Sequence, residues 1–313
     1  MNMEPDISNS GAPARAPALS NQSHTRIVTR PLYWSVLREL WENKSIYIAP
    51  AIVAAVLLMG ALASAGYLPG RRRNAMLLDE VHRQAAIELP YNVVAMMLIM
   101  TAFIVGFFYC LDGLYGERRD RSILFWKSLP VSDLTTVLAK AIIPLAILPA
   151  VLFGIIIATQ FSMLLISTAV LMPSGLAGTT WANFNLLRES VVLFYGLIVI
   201  ALWHAPIYAW ALFISGLGRR ATFLWAILPP LAIAIFEKVT FNTTYFTSML
   251  KNRFVGVGDT AFDFHLHRGI SIDLLTQLTP GRFLMTPGLW FGLIVSVLFI
   301  SATVRQRRYR GPI

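Results

Sequence analysis

Residues 46–66 read IYIAPAIVAAVLLMGALASAG, about twenty consecutive positions without a charge. At 1.5 Å per residue, a helix of that length covers about 30 Å, the thickness of a bilayer's hydrocarbon core. Five further runs of spanning length follow, at about 91–113, 136–160, 189–214, 221–240 and 287–304. The pattern predicts an all-α, polytopic membrane protein with six transmembrane helices. The bulk composition agrees. Of 313 residues, 56% are hydrophobic and 13% charged, and the mean hydropathy is +0.63, more apolar surface than one soluble core of this length can hide. The third run stays apolar to about Met172, so it is either a long tilted helix or a span with an extra interfacial turn.

Just upstream of the first span, Pro31 suits a helix start, and Tyr33, Val36, Leu37, Leu40 and Trp41 recur at helical spacing opposite Ser35, Arg38, Glu39, Glu42 and Asn43. The spacing predicts an amphipathic helix over 31–45 lying along the membrane surface, with Tyr33, Leu37, Arg38, Glu39 and Trp41 as its interfacial residues. Residues 1–30 are rich in Pro, Ser, Asn, Gly and Ala and read as a disordered cytoplasmic tail without a secretory signal. The remainder, 31–313, reads as a single transmembrane domain.

The formal net charge of +10 would suit a nucleic-acid partner only if the cations formed one exposed stripe. They fall instead in clusters between apolar runs, so no nucleic acid is expected and the lipid bilayer is the partner. Six spans put both termini on one side, and the cations decide which. One face carries Arg26, Arg30, Arg38, Lys44, then Arg118, Arg119, Arg121, Lys127, then Arg219 and Arg220, then Arg305, Arg307, Arg308 and Arg310. The other has Arg71, Arg72, Arg73 and Arg83, nothing between spans three and four, and Lys251, Arg253, Arg268 and Arg282 spread over a long loop. The excess places the termini in the cytoplasm, and the Arg71–Arg73 cluster runs against the rule. On the external face, residues 67–90 suggest a short helix through Met76, Leu77 and Val81, and residues 242–286 a small cap.

The most informative stretch leads from span two into span three. It runs Tyr115-Gly116-Glu117-Arg118-Arg119-Asp120-Arg121-Ser122-Ile123-Leu124-Phe125-Trp126-Lys127-Ser128-Leu129-Pro130-Val131-Ser132. A charge cluster, an amphipathic turn, and then a Pro and a Ser able to cap the next helix make a short cytoplasmic surface helix that a soluble partner can grip. The alternative is that these charges merely anchor the loop.

This stretch, together with Arg38-Glu39-Leu40-Trp41-Glu42-Asn43-Lys44-Ser45, resembles bacterial ABC-2 type transporter permease subunits. The resemblance implies an ABC-2 exporter-like fold in the bacterial cytoplasmic (inner) membrane. It makes 31–45 the connecting helix and 115–134 the loop holding the coupling helix that docks on an ATPase subunit. Glu117, Arg118, Arg119, Asp120 and Arg121 would make the polar contacts, with Ile123, Phe125 and Trp126 seated in a groove. It further implies alternating access, a second permease copy or a related subunit, and ATP and Mg bound by the partner ATPase. This chain has no Gly-x-x-x-x-Gly-Lys-Ser/Thr phosphate loop, so it needs no cofactor of its own and the ATPase must be another chain.

His204, beside Pro206 inside span four, is a candidate for the translocation path, because an ionisable side chain at membrane depth is functional by default. The competing reading is a neutral histidine hydrogen-bonded to a neighbouring helix. Asp112, Glu189 and the Glu237–Lys238 pair fall near span ends, where anchoring or helix pairing is the default. His265 and His267, with Asp259, Asp263 and Asp273, lack convergent metal-ligand spacing. No nucleophile elbow or His-Glu-x-x-His occurs, so the chain is not expected to be an enzyme. Two further classes stay open: a stand-alone secondary transporter, which would need polar groups near the midplane, and a non-catalytic membrane anchor or assembly subunit.

Overall fold

The structure is a computed structural model and describes residues 31–124, 131–217, 221–256 and 278–309. The tail 1–30, Phe125, Trp126 and the His265/His267 loop lie outside the described residues. Every regular element among the described residues is helical. In chain order they are α1 (Pro31–Glu42), α2 (Ser45–Ala63), α3 (Leu68–Met76), α4 (Glu80–Arg119), α5 (Asp133–Ile142), α6 (Leu148–Leu171), α7 (Gly178–Asn183), α8 (Leu186–Gly216), α9 (Thr222–Phe241), α10 (Tyr245–Val255), α11 (Pro280–Met285) and α12 (Pro287–Tyr309). Among the described residues, six helical segments are long and apolar enough to cross a membrane: α2, α4, the continuous run Asp133–Ser174 that contains α5 and α6, α8, α9 and α12.

Two spans are longer than the bilayer requires. Helix α4 has 40 residues and the Asp133–Ser174 run has 42, each about 60 Å at 1.5 Å per residue. The apolar run predicts only 91–113 for the second span; the structure carries the helix eleven residues further toward the N-terminus and six toward the C-terminus. Periodicity explains the C-terminal extension: Tyr109, Cys110, Leu111, Leu114 and Arg118 continue one buried face past the last apolar residue. Arg118 and Arg119 in the last turn suit the negative end of the helix dipole. The helix stops where Arg121 takes a left-handed φ of 58°. Residues 115–119 are therefore helix rather than the start of a loop.

The third span is interrupted by a π turn over Ile143–Ile147 that contains Pro144. Proline has no N–H for the ladder and clashes with the carbonyl four residues back, so a wider turn accommodates it. Ser132 caps the start of α5, its Oγ accepting from Thr135 N at 3.1 Å. Near the π turn, α4 and α8 approach closely at Gly106, where a Cβ would stand 3.1 Å from Leu148 Cδ2 and 3.2 Å from Tyr208 Cε1. The core runs along α2, α4, α6 and α8 through Leu98, Cys110, Ile143, Ile156, Leu164 and Leu212. Helix α12 packs along α8, and α1 packs on α5. Helix α9 is scarcely covered: Phe223, Leu228, Ile233, Phe236 and Val239 all face outward.

Candidate functional site

Helix α1 presents two unlike faces. Tyr33, Trp34 and Trp41 point outward, whereas Ser35 and Glu39, on the polar stripe, are buried against the bundle. Glu39 is wholly enclosed, with 0% exposure. A carboxylate cannot be buried without compensation, because desolvating an unpaired ion costs several kcal/mol. Its compensation comes from three elements. Lys140 of α5 donates from Nζ to Glu39 Oε1 at 2.8 Å, Arg38 Nη2 donates to the same oxygen at 2.7 Å, and Tyr109 Oη of α4 donates to Oε2 at 2.9 Å. Burial pushes the Glu39 carboxyl up, but the Lys140 ammonium and the Arg38 guanidinium more than offset it and hold it below the ordinary carboxylate value.

Lys140 is shared. Its Nζ also lies 3.1 Å from Glu117 Oε1, on the last turn of α4. The other oxygen of Glu117 accepts from Arg307 Nη1, near the end of α12, and Arg307 Nε donates to Asp133 Oδ1 at 3.1 Å, in the first turn of α5. Arg38 Nη2 stands 3.6 Å from Glu117. Arg38, Lys140 and Arg307 thus face Glu39, Glu117 and Asp133, and Glu42 stands 3.7 Å from Arg38 at the exposed edge of the group. The group joins α1, the end of span two, the start of span three and the end of span six. Beside it, Arg118 Nη1 donates to Gly216 O at 2.7 Å, and Ser215 Oγ accepts from Leu114 N and Tyr115 N, both at 2.9 Å. These contacts lock the end of α4 to the end of α8.

The residues assigned to docking divide between two surroundings. Glu117 and Arg118 turn inward to the contacts above, and Ile123 is buried at 2% exposure. Arg119, Asp120 and Arg121 are exposed, with Arg119 Nε on Asp120 Oδ1 at 3.0 Å, and Leu124 is exposed beside them. Leu37 is half-buried on α1. His204 is packed within the bundle: its Nδ1 lies 2.8 Å from Ile200 O of its own helix, and its ring meets Phe103 edge-on at 5.1 Å. Glu237 accepts from Tyr245 N at 2.6 Å and Phe246 N at 2.9 Å, so it caps the start of α10. Lys238 bonds Asn242 Oδ1, Glu189 is buried in the first turn of α8, and Asp112 is exposed.

Sequence reasoning passed over Lys140, Tyr109, Asp133 and the inward role of Arg307. The signal for Lys140 was present: a lysine inside an apolar run of spanning length requires a counter-ion. Among the described residues, no His, Cys, Asp and Glu group has the arrangement to hold a metal ion. The ion-paired group ties four chain segments together through buried charge pairs. Comparison with family models, with curated proteins and with solved structures returned no match to this chain.

Proposed function

We propose that the chain is the membrane permease subunit of an ATP-driven ABC-2 type exporter, set in a bacterial cytoplasmic membrane with both termini in the cytoplasm. The observation that carries this reading is the pairing of Glu117 and Asp133, which flank the loop between spans two and three, on one cation, Arg307. Through Lys140 the same pairing reaches Glu39 on the surface helix. A push delivered to that loop would act at once on α1, α4, α5 and α12. This is the mechanical property required of a segment through which ATP-driven closure of a partner reorients a membrane bundle. The sequence resemblance in 38–45 and 115–132 supports the same assignment, and in this reading ATP and Mg are bound by a separate ATPase subunit.

In this reading Arg119, Asp120, Arg121 and Leu124 meet the ATPase, because they are the outward side chains among the segment's described residues, while Glu117 and Arg118 transmit the movement inward. Two copies, or one copy with a related permease, complete the transporter and work by alternating access. The test is co-expression with a neighbouring reading frame that carries a phosphate loop. A stable complex with that chain supports the reading, and reproducible failure of any such chain to co-purify counts against it.

A further inference from the structure

The Arg71–Arg73 cluster that runs against the positive-inside rule lies on α3, between the end of α2 and the start of α4, at the opposite end of the bundle from the ion-paired group. Arg72 is 5% exposed. Its Nη2 donates to Thr180 Oγ1 of α7 at 3.0 Å, while Nη1 is buried without an acceptor. Among the described residues it makes no ion pair, and the only ionisable group acting on it is the Tyr91 phenol. A buried guanidinium is ordinarily matched by a carboxylate or a set of carbonyls, because desolvating it unpaired is strongly unfavourable.

Arg72 lines a cavity of about 290 Å³. The rest of the wall is mostly apolar and includes Leu57, Val94, Met163 and Ile166, with exposed Arg71 at its edge. Its polar side also holds the Tyr91 Oη to Ser167 Oγ contact at 3.2 Å, and Tyr91 is fixed from behind by stacking on Phe184 at 4.2 Å. The volume sits at the lower edge of small-molecule sites, about 300–1,000 Å³, enough for a headgroup and part of one chain. A cation with a free donor beside apolar walls selects an anion joined to a hydrocarbon.

We propose that the cavity between α2, α3, α4 and α6 binds an anionic amphiphile, with the Arg72 guanidinium on its anionic group and the apolar wall on its chain. The site stands apart from the ATP-driven reading, which can fail without affecting it. The probe is dodecyl phosphate, added to the full-length protein in a neutral detergent and counted by native mass spectrometry against dodecyl glucoside. Wild type should take up one dodecyl phosphate saturably and prefer it over the neutral probe. Arg72→Gln should weaken uptake about tenfold or more, about 1.4 kcal/mol per tenfold, and Arg72→Lys should restore part of it. Ala61→Phe, which fills the cavity and leaves the arginine in place, should block uptake and provides the test if Arg72→Gln fails to fold. Equal uptake of both probes, or uptake untouched by Arg72→Gln or by Ala61→Phe, overturns the proposal. The source is read in nanodiscs: displacement of dodecyl phosphate by phosphatidylglycerol but not phosphatidylcholine identifies a bilayer headgroup, and retention in both identifies a free amphiphile.

Discussion

Removing the ammonium at the centre of the ion-paired group should be among the most damaging single changes in this chain. Lys140→Met keeps the length and apolar stem of the side chain and deletes only the charge. In the structure that charge lies 2.8 Å from Glu39 Oε1 and 3.1 Å from Glu117 Oε1. At an effective dielectric of about 20, each contact has a Coulomb term of about 5–6 kcal/mol, much of it offset by desolvation of the ammonium. Breaking a buried pair leaves a net loss of about 3–5 kcal/mol. The lower end is expected here, because Arg38 still faces Glu39 and Arg307 still faces Glu117. With about 2 °C per kcal/mol for a large domain, the melting temperature should fall by about 6 °C. Cys110, the single cysteine and fully buried, provides the assay: a thiol-reactive dye in detergent fluoresces only as the bundle opens. Adding Glu39→Gln to Lys140→Met should cost less than the sum of the two single changes, since the double variant no longer buries a carboxylate that has lost one of its two cations. A Lys140→Met protein that melts within about 1 °C of wild type, or strictly additive single effects, would refute the reasoning.

Two further outcomes follow from the same geometry. The Glu39 carboxyl is held below its unfolded value of about 4.3, so its contribution is fully present above that pH and is lost as the pH falls through the lowered folded value. Melting followed by tryptophan fluorescence should therefore show a drop below about pH 4.3 that is smaller in Glu39→Gln; equal slopes in both proteins would remove Glu39 as its source. At Gly106, a valine would press on Leu148 and Tyr208, and the overpacking should lower stability by about 1–3 kcal/mol in the same dye assay, whereas an unchanged melt would mean that α4, α6 and α8 do not approach so closely there.

The spans could be read from the sequence because a bilayer imposes one simple demand, about twenty apolar residues, which the runs satisfy independently of one another. The periodicity of α1 separates Trp41 and Tyr33 from Glu39 and Ser35 without reference to any neighbour, but it does not say that the polar stripe is the one that meets the bundle. Which helices meet is not a local property, and the misread residues all depend on it. Counted by loops, Arg307, Arg118, Arg253 and Arg72 are interchangeable solvated cations. In the structure Arg307 sits on Glu117 and Asp133, Arg118 on Gly216 O, and Arg253 over the Trp203 ring at 4.5 Å with a bond to Gly288 O. Each pairs with a residue distant in sequence, and Lys140 passed as part of an apolar run because its partners lie 101 and 23 positions away. The extra turns of α4 were hidden for a related reason. Hydropathy ends where charges begin, but a charged helix continues when its charges have buried partners waiting.

In the proposed function, the loop between spans two and three receives an ATP-driven movement and passes it inward through Glu117. The most direct measurement is ATP turnover in proteoliposomes containing the chain and its co-purified ATPase, comparing wild type with Arg119→Ala/Asp120→Ala/Arg121→Ala and with Glu117→Gln. The triple variant, altered only at exposed positions, should keep its melting temperature but lose the ATPase. Glu117→Gln should keep the ATPase bound while transport falls relative to ATP hydrolysis. An ATPase that binds and turns over equally with all three proteins, with transport unchanged in Glu117→Gln, would contradict it.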